Sequence, residues 1–218
     1  MFDFFKRKKV SIDSISFPTF DWNLTEQTAR SRTWMNPKQF CGLGVDFFNV
    51  PPDIPTLKDI DQLRRFYRAL AGGAKGGLIE VSVIDLNGFQ AVKTVFKFPP
   101  SSQGMNYVGS LTIPFQDYSY VLRIHAIEVG VTGGRDSVVL MKMMTLKEIE
   151  FEGNAMHGWW ADPYAPDHKA ECLMNLSEQE IYDKDFPDHP LSLVRGKLHE
   201  LEAGIRFGPE LNQLRPFR

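Results

Sequence analysis

The chain of 218 residues has only two cysteines, Cys41 and Cys172, which lie far apart and outside any metal-ligand or redox-pair spacing. A disulfide framework is thereby excluded, and both read as small buried residues. No apolar run is long enough to span a bilayer, and the opening Met-Phe-Asp-Phe-Phe-Lys-Arg-Lys-Lys-Val puts its charges after its aromatic residues, the reverse of a secretory leader. The expectation is a cytosolic protein with no integral membrane segment, in which Lys6 to Lys9 form a solvated terminus rather than a membrane contact. An excess of positive charge is also missing: 25 basic against 27 acidic residues leave a net charge of -2, which argues against nucleic acid as a partner.

Catalytic signatures are equally scarce. No Gly-x-Ser-x-Gly elbow occurs, and Ser110 reads as a strand residue. The cluster Gly72-Gly73-Ala74-Lys75-Gly76-Gly77 lies between a helix and a strand, the wrong order for a phosphate loop, and is read as a connector. No cofactor is expected.

What is present is a sheet. With 43% hydrophobic and 24% charged residues, the composition is that of an ordinary globular protein long enough for a full core. Four strand-like segments follow one another between Leu78 and Glu128, and the first two are joined by Asn87-Gly88, both tolerant of the positive φ that a two-residue hairpin turn needs. The register pairs Leu86 with Phe89, Val83 with Val92, Val81 with Thr94 and Ile79 with Phe96. One face then carries Ile79, Val81, Val83, Val92 and Phe96, and the opposite face is more polar except near the turn, where another segment should cover it. Tyr107, Leu111 and Ile113 share a face in the third segment, and Tyr118, Tyr120, Leu122, Ile124 and Ala126 in the fourth. His125 falls on the more polar side, as a partly solvated sheet histidine.

Ahead of this sheet, residues 31–34 and 41–50 look extended. Leu57, Ile60, Leu63, Tyr67 and Leu70 recur at helical spacing, with Thr56 as the expected N-cap and Gly72-Gly73 as the stop. After it, Asp136 and Ser137 introduce a helix holding Val138, Val139, Leu140, Met141, Met143 and Met144. That helix is apolar almost all round, so it is expected to be buried on both sides against the sheet. Ser177 and Glu180 have capping-box spacing for a short helix over 178–183, and Leu191, Val194, Leu198 and Leu201 mark a last helix ended by Gly204.

The fold class is therefore α+β, an antiparallel sheet flanked by helices with an irregular C-terminal extension that ends in a helix. The expected division is an N-terminal segment over 1–30, a core domain over 31–152 and a wrapping extension over 153–218. Trp159, Trp160, Tyr164 and Phe186 in the extension are candidate anchors, for the chain's own core or for a partner.

Three segments carry a resemblance: Asn49-Val50-Pro51-Pro52-Asp53-Ile54-Pro55, Gly104-Met105-Asn106-Tyr107-Val108-Gly109-Ser110-Leu111-Thr112-Ile113-Pro114-Phe115, and Phe186-Pro187-Asp188-His189-Pro190-Leu191-Ser192. They resemble bacterial proteins of uncharacterised function whose core is PsbP-like. The resemblance covers most of residues 31–205 and implies an antiparallel sheet flanked by helices and a role in binding other proteins, chaperones for secreted effectors included. It implies no active site.

The leading expectation is a non-catalytic protein-binding module, in its finer form an immunity protein or an adaptor or chaperone for a secreted toxin. Two alternatives stand beside it. A metal-dependent hydrolase would draw on His157, Asp162, Asp167 and His168, with Asp183, Asp185, Asp188 and His189 nearby in sequence. A small-ligand site would use Tyr107, Tyr118 and Tyr120 on a curved sheet.

Overall fold

The structure, a computed structural model, describes residues 9–99, 104–152 and 155–217. Lys6, Arg7 and Lys8 of the basic terminus and the start of the extension at Gly153 lie outside them. Seven strands form one antiparallel sheet: β1 (Asn23–Gln27), β2 (Ser31–Met35), β3 (Cys41–Phe48), β4 (Gly77–Leu86), β5 (Phe89–Phe98), β6 (Asn106–Pro114) and β7 (Ser119–Ile127). Their spatial order is β1-β2-β3-β7-β6-β5-β4, so four strands in sequence run β4 to β7 and the first three complete the sheet beside β7. Three helices accompany it: α1 (Ile60–Gly73), α2 (Gly134–Thr145) and α3 (Pro190–Gly204). The α+β class and the sheet flanked by helices are as expected.

The hairpin turn sits at Asn87-Gly88, with φ of 54° and 90°, and Leu86↔Phe89, Val83↔Val92 and Val81↔Thr94 pair as the turn dictates. At the far end the register slips. Phe96 faces Leu78 rather than Ile79, because a bulge between Leu78 and Glu80 puts one extra residue on β4. Ile79 thus leaves the face of Val81 and Val83 and joins the opposite core.

Both faces of the ribbon are buried, each by a different helix. On one side α1 sets Leu63, Tyr67 and Ala71 inward, and Leu63 and Tyr67 join Leu78, Val81 and Val92 in one apolar cluster, with Val83 and Phe96 at its border. Its N-cap is Asp59, whose carboxylate accepts from Gln62 N at 2.9 Å. Thr56, the expected cap, accepts instead from Lys58 N one turn earlier at 3.0 Å. On the other side α3 buries Leu191, Val194, Leu198 and Leu201 completely over β6 and β7. That approach depends on Gly109: a Cβ there would stand 2.5 Å from Leu198 Cδ1 and 2.6 Å from Val194 Cγ1. The polar pair Glu80 and Lys93 on this face is absorbed by the helix, since Lys93 Nζ lies 3.0 Å from Glu202 and 3.7 Å from Glu80. Near the turn the covering segment is 205–207: Asn87 Nδ2 donates to Ile205 O at 2.9 Å and Phe207 packs on Phe89 at 4.3 Å between ring centroids.

Helix α2 departs from expectation. It packs beside residues 176–178 rather than on the sheet, burying Arg135, Val139 and Met143 while Val138, Met141 and Met144 stay 58%, 69% and 47% exposed. A run that is apolar all round does not reveal which arc will be covered, and here only one arc is. The short helix expected over 178–183 is two 3-10 turns, Leu176–Glu178 and Glu180–Tyr182. Glu178, not Glu180, supplies the capping carboxylate, accepting from Asn175 N at 2.8 Å.

Candidate functional site

The greatest concentration of polar chemistry lies where the C-terminal segment meets β5, β6 and α2. Lys97 and Glu178 are 3% and 0% exposed and form an ion pair of 2.7 Å. Tyr107 donates to the other Glu178 oxygen at 3.0 Å. Burial, with the Glu178 charge beside it, raises the Tyr107 pKa well above the ordinary tyrosine value, so the phenol stays a proton donor. Every nitrogen of the Arg135 guanidinium donates: to Ser177 O at 2.7 Å, Ser192 Oγ at 2.9 Å, Gln179 O at 3.0 Å and Asp183 Oδ1 at 2.9 Å. Arg195 joins the same Asp183 at 3.1 Å and reaches Glu178 O at 2.7 Å. Asp136 accepts from Asn175 Nδ2 at 3.1 Å and from Ser177 Oγ.

Three cations meet three carboxylates in this cluster. Its groups hold one another, with Arg135 also at the wall of a groove beside α2, and the arrangement ties α2, the 175–183 segment and α3 to the sheet. At its border His189 caps α3, accepting from Leu191 N at Nδ1 (3.2 Å) while Nε2 lies 3.3 Å from Glu128. Burial would raise the Glu128 pKa, but the His189 contact and the Met105 and Gly133 amides outweigh it and hold the carboxyl below its usual value.

The structure separates the residues of the metal alternative. Asp162 accepts a two-pronged bond from Arg68 (2.7 and 2.8 Å) and a bond from Tyr164 N (2.9 Å). Burial acts to raise its pKa and the Arg68 bonds overcome it, so Asp162 stays ionised below the usual range. His157 sits 3.5 Å from Glu152 on a separate two-stranded ribbon, His168 borders a groove beside α1, and Asp167 is exposed. Among the described residues no group of three or more His, Cys, Asp or Glu is placed to hold a metal ion. Burial pushes the Cys41 thiol up to about 12 and raises that of Cys172, so neither is a ready thiolate. His125 lies across Gly42, and burial together with Arg123 lowers its pKa.

The four aromatic candidates divide. Trp159 is 4% exposed in a cluster with Val139, Met143, Ile149 and Tyr182, and Phe186 borders that cluster. Tyr164 closes the outer edge of β4: its hydroxyl accepts from Val81 N at 2.8 Å and donates to Val81 O at 3.3 Å, under an Arg64 guanidinium 3.9 Å from the ring centre. Trp160 is 50% exposed. Tyr164→Phe is expected to cost about 1–3 kcal/mol, the penalty for leaving a strand N–H without its partner, measured as a lowered urea midpoint at unchanged slope.

The surface that sequence periodicity did not show is the outer arc of α2 with the segment before it. Val129 and Val131 are 64% and 95% exposed at the rim of a groove of about 480 Å³ that Phe40, Ile127, His189 and Pro190 also line. Of the fourteen large apolar side chains exposed among the described residues, nine lie between Ile127 and Trp160, a crowding that single scattered exposures do not produce.

No family model matches the chain, and no curated protein matches it. Among solved structures the chain is similar to the Saccharomyces cerevisiae Ran-binding protein Mog1p, at 14% identity over 62% of this chain and 82% of that one, with a TM-score of 0.41. It is also similar to PsbP (CyanoP) from Synechocystis sp. PCC 6803, at 10% identity over 62% and 85%, with a TM-score of 0.37. A Bacteroides thetaiotaomicron protein is similar at 12% identity over 54% of this chain, with a TM-score of 0.35, and the chain spans 39% of that protein's length.

Proposed function

We propose that this protein acts by holding another protein and carries out no chemistry of its own, with the exposed arc of α2 and the 127–131 segment as the contact surface. The observation that carries the reading is the contrast between two parts of the molecule. The buried polar groups of the C-terminal segment are engaged with each other, while Val138 and Met141 stand in solvent on a helix whose other face is filled. Desolvating such side chains drives association at roughly 25 cal/mol per Å² of apolar surface. Trp160 is the exposed member of the aromatic set and a further anchor for the partner.

The finer form of this proposal is an immunity protein or an adaptor for a secreted toxin. The double substitution Val138→Glu and Met141→Glu tests both levels. It is expected to leave thermal stability unchanged and to weaken binding to the partner by about 30-fold, or roughly 2 kcal/mol, in a titration against the product of an adjacent toxin-like gene. Equal affinity of the two forms would move the contact off α2. No association with any neighbouring gene product, even at low salt, would remove the immunity and adaptor reading.

A further inference from the structure

A groove of about 510 Å³ opens between the C-terminal end of α1 and residues 168–172. Arg65, Lys75 and Lys169 line it, and among the described residues none of the three has a carboxylate within ion-pair distance. Their neighbours differ in this respect, since Arg64 is paired with Asp61 and Arg68 with Asp162. Glu171 is the one acid on the lining. For a chain of net charge -2 this is a local excess of positive charge in a concave place, where field lines are focused.

The negative end of α1 points toward the same region but is capped by its own turn. Ala74 N donates to Leu70 O and Ala71 O, Lys75 N to Gly72 O at 2.9 Å and Gly76 N to Ala71 O at 2.8 Å. That turn holds Lys75 in the left-handed region at φ 55°. Besides Arg68, which is paired with Asp162, and His168, the rest of the lining is small and neutral: Ala69, Gly72, Gly76 and Ala170, with a Cys172 thiol whose pKa burial raises.

We infer that this groove binds a small phosphate monoester, its dianionic phosphate held by Arg65, Lys75 and Lys169 and its organic part lying along the small neutral lining. Two lysines and a guanidinium suit a doubly charged group with three acceptor oxygens, and the volume is that of a ligand site rather than of a single ion. The glycine cluster read from the sequence as a connector is then also one wall of the site, without the strand-to-helix order of a phosphate loop.

The test is an amide-resolved NMR titration of the full chain with phenyl phosphate, inorganic phosphate and benzyl alcohol, repeated on the double variant Lys75→Asn and Lys169→Gln. Asparagine tolerates the left-handed backbone at position 75 and both side chains are exposed, so the variant should fold. The expected result is saturable shifts in residues 72–76 and 168–172 with phenyl phosphate, weakened about tenfold in the variant, with weaker binding of inorganic phosphate and none of benzyl alcohol. The inference is overturned by no saturable shift up to about 10 mM phenyl phosphate, by equal affinity in the variant, or by benzyl alcohol binding as well. Inorganic phosphate binding as tightly as the ester would overturn the assignment to an ester and leave a free-phosphate site.

Discussion

Glu178→Ala is expected to destabilise the protein by about 3–5 kcal/mol, enough to leave a marginally stable fold largely unfolded. The carboxylate is fully buried and accepts from Lys97 Nζ, Tyr107 and Asn175 N. Without it the Lys97 amine, 3% exposed, is left buried with no partner, and a phenol and an amide lose their acceptor. Urea unfolding at neutral pH measures the loss. The paired change Lys97→Met with Glu178→Leu should recover most of it, because removing both charges avoids the desolvation that the single variant leaves uncompensated. If Glu178→Ala cost under about 1 kcal/mol, the pair would not be the joint that its burial indicates.

Leu198→Ala is the second large effect, about 2–5 kcal/mol. Leu198 is fully buried on the central turn of α3 and fills the notch left by Gly109. Neither neighbour can collapse into the space, since strand β6 is paired on both sides. By contrast Leu70→Ala on α1, a leucine 56% exposed, should change stability by no more than about 0.5 kcal/mol. The two substitutions delete the same atoms, so a difference of this size in the same unfolding assay isolates burial as the cause.

Legibility in the sequence followed the range of the interactions. The Asn87-Gly88 turn, the pairing of β4 and β5 from Val81 to Phe89, and the stripe Leu191, Val194, Leu198 and Leu201 depend on neighbours a few positions away, and all are found where the pattern puts them. The slip at Ile79 has no mark within the bulged residues themselves, Leu78 to Glu80, and it moves one side chain to the other face. Thr56 and Asp59 are equally able to cap, and nothing in the sequence chooses between them. The polar cluster was invisible for a plainer reason: Lys97 and Glu178 are 81 positions apart, Arg135 and Asp183 48 apart, and each alone reads as an ordinary surface charge. The uniform hydrophobicity of α2 hid its exposed arc, because periodicity locates a buried face only when the opposite face is polar.

The same long-range contacts bear on the aromatic residues of the extension. Trp159 and Tyr164 are engaged with the chain's own body, one in a small apolar cluster and one along the β4 edge, which leaves binding to surfaces whose apolar groups have no internal partner. The proposed contact of α2 therefore stands on a helix held from behind by Arg135 and its four bonds, a rigid support of the kind a protein interface needs.

The central claim is that the buried charges join the C-terminal segment, α2 and the sheet into one cooperative body. Native-state hydrogen exchange measures this directly. The account predicts that the amides of Asn175 and Leu176 exchange with the same opening free energy, and the same denaturant dependence, as those of β6 and β7. Exchange of the 175–183 amides through a smaller opening, with the sheet still protected, would contradict it.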